Sequence, residues 1–241
     1  MNKRVFAFDL DGTLTEHRTW ISDENLSMLD SLASRGIKLA VVGAGRARRI
    51  FTQLREYPNI DIIGNYGLQF AVYNDENADI EFKRDICLPC DTAGIEKRVA
   101  EARERFGFVD YIGDSIEFHP SGCVTIPLLG SKAGVRDKME FDPKGEKRRA
   151  VYPEMRALFP EYSVFLGGTT SLDLVPAPYN KLYALDLYAK DCGVTHDEIV
   201  YFGDDYKLAG NDEPVLLSDI DFVKVDKPSL LPALVNELIS K

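Results

Sequence analysis

Arg4–Thr15 reads RVFAFDLDGTLT, an apolar run that ends on two aspartates two residues apart, with a glycine straight after. A run this short and this continuously apolar predicts a strand buried on both faces, as in a parallel sheet. Alternation along an extended chain puts Asp9 and Asp11 on one side, and Gly12 lets the backbone turn sharply after them. A plain Asp-Gly turn would explain the pair. An active site at a strand end would explain it too, and the rest of the chain has to decide.

Four more segments share the same buried-strand character: Lys38–Gly43, Asp61–Gly64, Ile199–Phe202 and Phe222–Val225. Helical signals fall between several of them. Ser22 caps a stretch through about Ser34 with Gly36 beyond it. Arg46–Tyr57 has helical spacing and stops before Pro58. Lys181–Cys192 is amphipathic and stops at Gly193. Thr195-His-Asp-Glu198 offers a capping box, and Leu230–Ser240 reads as a closing helix. This rhythm predicts an α/β fold with a doubly wound parallel-sheet core.

The middle of the chain follows another pattern. Glu81–Leu88, Tyr111–His119 with Cys123–Leu129, and Ser163–Leu166 with Ser171–Val175 read as strands, the last two around Gly167-Gly168. Thr92–Phe106 and Glu146–Phe159 read as helices, the second disturbed by Pro153. The expected organisation is a core from residues 1–78 and 179–241, with an α+β cap domain inserted at 79–178.

Ligands of open α/β sheets bind at the carboxyl ends of the strands. The residues that follow the apolar runs form a coherent set: Asp9 and Asp11; Gly43-Ala44-Gly45-Arg46; Lys181 at a helix start; and Asp204 with Asp205, followed by Asn211 and Asp212. One carboxylate of the first pair can attack phosphorus while the other handles the leaving-group proton. Carboxylates gathered at one point repel unless a cation joins them, and hard oxygen donors with a phosphate oxygen suit Mg²⁺. Lys181 supplies charge against the phosphoryl group, and the backbone at Gly45 and Arg46 opens a helix where phosphate oxygens can be held.

These four pieces, in this order, resemble the haloacid-dehalogenase-like (HAD) phosphotransferases, and DLDGTLT matches their first motif. The resemblance implies that Asp9 is the nucleophile and Asp11 the acid/base, that Lys181 is the third-motif lysine, and that Asp9, Asp11 and Asp204 hold magnesium. Asn211 and Asp212 support that site. Over nearly its whole length the chain is similar to the eukaryotic-type phosphomannomutases, through DLDGTLTEHR, IEFHPSGCVTIPLLG, GGTTSLDLVPAPYNK and VYFGDDYKLAGNDE. That likeness places Arg18, Ser171 and Asp173 at substrate-contacting positions and implies a homodimer through the cap.

Two departures bear on activity. The three cap arginines that bind a second phosphate in those mutases are replaced by His119, Ser131 and Lys138, with Lys132 and Arg136 close by. Lysine acts as a point charge and lacks the planar fork of arginine. In the second motif Ala44 and Gly45 stand where relatives carry a hydroxyl. The expected function is therefore an aspartyl-phosphate phosphatase for a small phosphorylated sugar or related metabolite. A phosphomannomutase-type isomerase is the alternative, and a catalytically weak binding protein the third reading.

Composition narrows the partners. With 29 basic against 39 acidic residues and a net charge of −10, the chain lacks the cationic surface that sequence-independent nucleic-acid binding requires. No apolar run approaches the roughly 18–20 residues of a membrane span. The apolar opening meets Asp9 too early for a secretory signal, so a cytoplasmic protein is expected. Cys87-Leu-Pro-Cys90 has C-x-x-C spacing without a second Cys or His pair, and four cysteines are too few for a disulfide framework.

Overall fold

The computed structural model describes residues 3–240; Met1, Asn2 and Lys241, the outermost residues of the expected core, lie outside that range. Contacts divide the chain into two units. The first holds the N-terminal part through Ile86, Asn180–Lys207 and the stretch from Asp212 onward. The second holds Cys87–Tyr179 and Leu208–Asn211.

β1 (Val5–Phe8) is buried along its whole length. α1 (Asp23–Ser34) starts where the Ser22 hydroxyl accepts the Asn25 N–H at 3.2 Å, with Asp23 and Glu24 placed favourably against the helix dipole. β2 (Lys38–Val42), α2 (Ala47–Gln53) and β3 (Asp61–Gly64) continue the alternation. α2 is shorter than its apolar spacing suggests, because Arg55 and Glu56 enter the left-handed region at φ 58° and 59°. β4 (Gln69–Asn74) and β5 (Asp79–Asp85) then form a hairpin. After the second unit come α6 (Lys181–Cys192), β10 (Ile199–Gly203), α7 (Glu213–Leu216), β11 (Asp221–Lys224) and α8 (Leu231–Ile239). The capping box predicted at Thr195 and Glu198 is present on a short 3₁₀ turn ahead of β10.

The seven strands of the first unit run in the order β11-β10-β1-β2-β3-β4-β5. The five from β11 to β3 are parallel, and β4 and β5 are added antiparallel at the edge. Alternation along β1 splits its side chains between two cores. Phe6 and Phe8 pack with Leu29, Leu32 and Val41 on one face. Val5 and Ala7 pack with Leu185, Tyr188 and Tyr201 on the other. Helices therefore cover both faces, as a doubly wound sheet requires.

The second unit comprises α3 (Thr92–Phe106), β6 (Glu117–Phe118), β7 (Val124–Pro127), α4 (Val135–Phe141), α5 (Glu146–Leu158), β8 (Tyr162–Gly167) and β9 (Ser171–Pro176). Its antiparallel sheet has the order β6-β7-β9-β8. Ile95 and Val99 of α3 and Met155 of α5 pack against Val124, Val164, Leu172 and Leu174 of the sheet.

Two expectations are corrected. The strand expected at Glu81–Leu88 as the opening of the second domain is β5, paired with β4 in the large sheet, so the second unit begins at Cys87 instead of residue 79. An alternating hairpin looks the same in sequence whichever sheet it joins. The long strand expected over Tyr111–His119 shrinks to Glu117–Phe118. Gly113 turns the chain at φ 85°, and the buried Arg103 guanidinium takes the carbonyls of Phe108, Ser115, Pro127 and Leu128 in place of a strand ladder. The four cysteines are free thiols. Among the described residues, no helix is long and apolar enough to cross a membrane.

Candidate active site

The register pairs Phe8 with Val41 on one side and with Phe202 on the other, so the chain leaves β1, β2 and β10 at neighbouring points. Asp9 emerges from β1 and is only 6% exposed. Lys181, the first residue of α6, is fully buried, and its ammonium donates to Asp9 Oδ1 at 2.6 Å and to Asp212 Oδ1 at 2.7 Å. Asn180 makes this helix start possible, since its side chain caps the Tyr183 N–H at 2.9 Å. Asp212 also accepts the Tyr201 hydroxyl at 2.6 Å and the Asp205 N–H at 2.9 Å. Asp204 accepts the Thr13 hydroxyl at 3.2 Å.

Carboxylate oxygens of Asp9, Asp204 and Asp212 lie within 4.8 Å of one another. Burial pushes the Asp9 carboxyl well above its ordinary value against the pull of Lys181, and Asp212 and Asp204 push the same way. Burial also raises Asp204, whose carboxylate lies beside that of Asp9 in the same cluster. Burial alone would lower the Lys181 ammonium, but the carboxylates of Asp212 and Asp9 hold it above its usual range. Three carboxylates facing one ammonium leave an excess of negative charge in a dry site. Two carboxyl groups in contact need a proton or a cation between them, and an all-oxygen donor set selects a hard divalent ion. The residues present therefore fit Mg²⁺. Asp212 already accepts three hydrogen bonds, which leaves Asp9 and Asp204 as the pair best placed to hold it.

Asp11 is not among the three clustered carboxylates. Its carboxylate accepts the Arg18 N–H at 2.8 Å, the Gln53 amide at 2.8 Å and the Arg49 guanidinium at 2.9 Å. Partial burial would raise its pKa, but those donors outweigh it and the net shift is downward. Gly12 makes the juxtaposition of the two loops possible. Its φ is 103°, and a Cβ there would come within 2.4 Å of the Asp204 carboxylate. α2 has only seven residues, and its first amide, Ala47 N–H, is taken by the Gln69 side chain at 2.9 Å. Arg46 is the residue that flanks this helix start.

A family model described as eukaryotic phosphomannomutase matches residues 27–229. The chain belongs to that family. It is 26% identical over 235 residues to a probable phosphomannomutase from Caenorhabditis elegans, covering 90% of this chain and 88% of the relative. It is 28% identical over 222 residues to human phosphomannomutase 1, covering 85% and 80%. Among solved structures it resembles a HAD-superfamily phosphatase from Bacteroides thetaiotaomicron, at 18% identity and a TM-score of 0.63, covering 97% of this chain and 94% of that one. A truncated IMP-nucleotidase from Plasmodium falciparum aligns with a TM-score of 0.68 at 17% identity, covering 98% of this chain and 70% of that one. The phosphomannomutase-family chain is thus an α/β HAD-like protein and a phosphotransferase of that superfamily.

In the second unit, His119 Nε2 lies 3.0 Å from the Thr125 hydroxyl, which donates to Asp173 Oδ1 at 3.0 Å. Ser171 and Asp173 share β9 and point to one face of its sheet. The Ser131 hydroxyl donates to Asp114 Oδ2 at 3.0 Å, and Lys138 Nζ donates to the Ser131 carbonyl at 3.2 Å. Arg136 pairs with Glu140 one turn along α4. Asn211 groups with this unit, whereas its neighbour Asp212 lies in the buried cluster of the first. The Arg18 side chain is exposed on the loop after β1.

Reading the sequence missed Arg49, Gln53 and Tyr201. Arg49 and Gln53 stand four apart on α2, a spacing that signals one shared face. Tyr201 is the only hydroxyl-bearing residue in the run Ile-Val-Tyr-Phe-Gly, and that was its signal.

Proposed function

We propose that this chain is a Mg²⁺-dependent phosphotransferase working through an aspartyl phosphate on Asp9, and that it hydrolyses a small phosphorylated sugar. The observation that carries the reading is the buried Asp9 carboxylate, 2.6 Å from Lys181 and clustered with Asp204 and Asp212. Asp9 and Asp204 would hold the ion, which when bound supplies Lewis-acid stabilisation of charge on the phosphoryl oxygens. Lys181 keeps Asp9 oriented, and Asp212 fixes Lys181. In the first half-reaction an Asp9 oxygen bonds to phosphorus as the phosphorus–alkoxide bond breaks, and Asp11, which must first take up a proton from solvent against the donors that lower its pKa, passes that proton to the leaving oxygen. In the second half-reaction water attacks the same phosphorus, Asp11 takes the water's proton, and the Asp9–phosphorus bond breaks to release inorganic phosphate.

Support for hydrolysis over isomerisation comes from the inserted unit, to which we assign substrate choice. A mutase must bind a bisphosphate by either end, and the three aligned positions, His119, Ser131 and Lys138, offer no guanidinium, while the nearby Arg136 is paired with Glu140. The Ser131 hydroxyl is engaged with Asp114 and the Lys138 ammonium with a carbonyl. The second reading, a phosphomannomutase-type isomerase, is favoured by the family match. In it a sugar hydroxyl replaces water in the second half-reaction.

One set of assays tests both. Asp9→Asn is expected to abolish hydrolysis of p-nitrophenyl phosphate in magnesium buffer, and undiminished turnover would remove Asp9 as the nucleophile. With mannose 1-phosphate and a trace of the 1,6-bisphosphate, inorganic phosphate is the expected product. Formation of the 6-phosphate without phosphate release would establish the isomerase.

A further inference from the structure

The turn at Gly43-Ala44-Gly45 carries no polar side chain, yet its space is not empty. A Cβ built on Gly45 would lie 2.6 Å from Arg49 Nε, 2.6 Å from Nη2 and 2.9 Å from Cζ. The guanidinium of Arg49 thus occupies the volume that a side chain at residue 45 would fill. From there Nη2 donates to Asp11 Oδ2 at 2.9 Å, on the carboxylate two residues from Asp9. The first amide of α2 is already engaged, since Ala47 N–H is used by Gln69.

The other polar groups at this place differ in kind. Gln53 is 6% exposed and bridges Asp11 Oδ1 and the Thr15 hydroxyl, both at 2.8 Å, so it is a fixed positioner of Asp11. The ammonium of Lys181 is spent on two carboxylates within the buried cluster. Arg49 is different: its side chain is 44% exposed, and its ion pair among the described residues is with a carboxylate that is itself a quarter exposed. A guanidinium has five N–H donors in a planar fork that matches two oxygens of a tetrahedral oxyanion. A phosphoryl group brought to Asp9 adds negative charge beside Asp11, where this fork already sits.

We propose that Arg49 is the phosphoryl-binding side chain of this site, and that residue 45 is glycine so that the guanidinium can stand there. The proposal rests on the phosphotransferase reading above. It makes residues 45 and 49 a coupled pair: a guanidinium over glycine does what a hydroxyl at 45 would do. Any side chain at 45 must displace the tip of Arg49.

The test is the binding of orthovanadate in magnesium buffer, measured by calorimetry, with KM and kcat for p-nitrophenyl phosphate beside it. Arg49→Met is expected to weaken vanadate about 10- to 100-fold, the size of a charge-assisted contact, with KM rising in step. Arg49→Lys should fall between, because it keeps a point charge and loses the fork. Gly45→Ser should weaken vanadate where Arg49 is present and strengthen it in the Arg49→Met background. That reversal of sign is not expected of a merely structural arginine. Unchanged vanadate affinity in Arg49→Met overturns the proposal, as does a Gly45→Ser effect of one sign in both backgrounds. If Arg49→Met does not fold, unchanged affinity in Arg49→Lys overturns it instead. Should Arg49 variants behave as wild type while Asp9→Asn is inactive, Arg49 falls and the phosphotransferase reading stands. A wild-type protein that neither binds vanadate nor hydrolyses phosphoesters overturns both.

Discussion

Asp9 and Asp11 are the same residue type two positions apart, and their surroundings pull them in opposite directions. Burial and like charges raise Asp9, while three donors lower Asp11. A nucleophile must be ionised and a general acid protonated, so these shifts suit the proposed roles only once a cation offsets the like charges around Asp9 and Asp11 takes up a proton. Partners also decide the state of His196, which stands between Asp219 and Asp186 with Nε2 2.9 Å from Asp186 Oδ1. The hydrogen bond to Asp219 is the main cause of its raised pKa, with Asp186 adding to it. A raised folded-state pKa means that the stabilisation is fully present below the unfolded value of about 6.5 and is lost as pH rises through the folded value. His196→Gln should therefore lower the thermal midpoint at pH 6 more than at pH 9. An equal loss at both pH values would show that the ion pairs do not contribute.

At the scale of elements, a strand is useful for where it ends. The parallel register of β1 with β2 and β10 brings Asp9, the Gly43–Gly45 turn and Asp204 together, although they are distant in sequence. Positive φ at Gly12 lets the loop after β1 pass close against Asp204. In the second unit, a buried arginine organises a turn. Arg148 of α5 pairs with Asp142 at 2.9 Å and donates to the carbonyls of Gly167 and Gly168, both at 3.0 Å, and of Ser171 at 3.3 Å. It ties the helix to the β8–β9 connection just before Ser171. Arg148→Met leaves a buried carboxylate and three carbonyls without this donor, at a cost of about 3–5 kcal/mol. Hydrogen exchange should show β8 and β9 losing protection first. Protection equal to wild type in those strands would contradict this account.

Taken whole, the molecule places its acidic cluster in one unit and its sugar-recognition candidates in the other. Mg²⁺ should therefore stabilise the first unit selectively. At 100 times its Kd the gain is about 2.7 kcal/mol. Exchange protection is expected to rise around Asp9, Lys181 and Asp204 and to stay level in β6–β9, with Asp204→Asn abolishing the response. A rise shared equally by β6–β9 would count against the cluster as the ion's site. Much of this was legible in advance. Continuous apolar runs, Ser22, Gly36 and Gly193 specified strands, helix starts and helix stops, because those signals are local and act through backbone geometry. The order of Asp9, Lys181, Asp204 and Asp212 pointed to the site because strand ends converge in any doubly wound sheet. What the amino-acid order could not decide was which partners each group meets. That β4 and β5 extend the large sheet depends on pairing that is non-local. That Asp11 turns to Arg49 and Gln53 instead of joining the acidic cluster, and that Arg49 fills the place of a residue-45 side chain, depends on how α2 packs on the sheet. Such contacts come from packing across the sheet, and tertiary structure alone brings those groups within hydrogen-bonding distance.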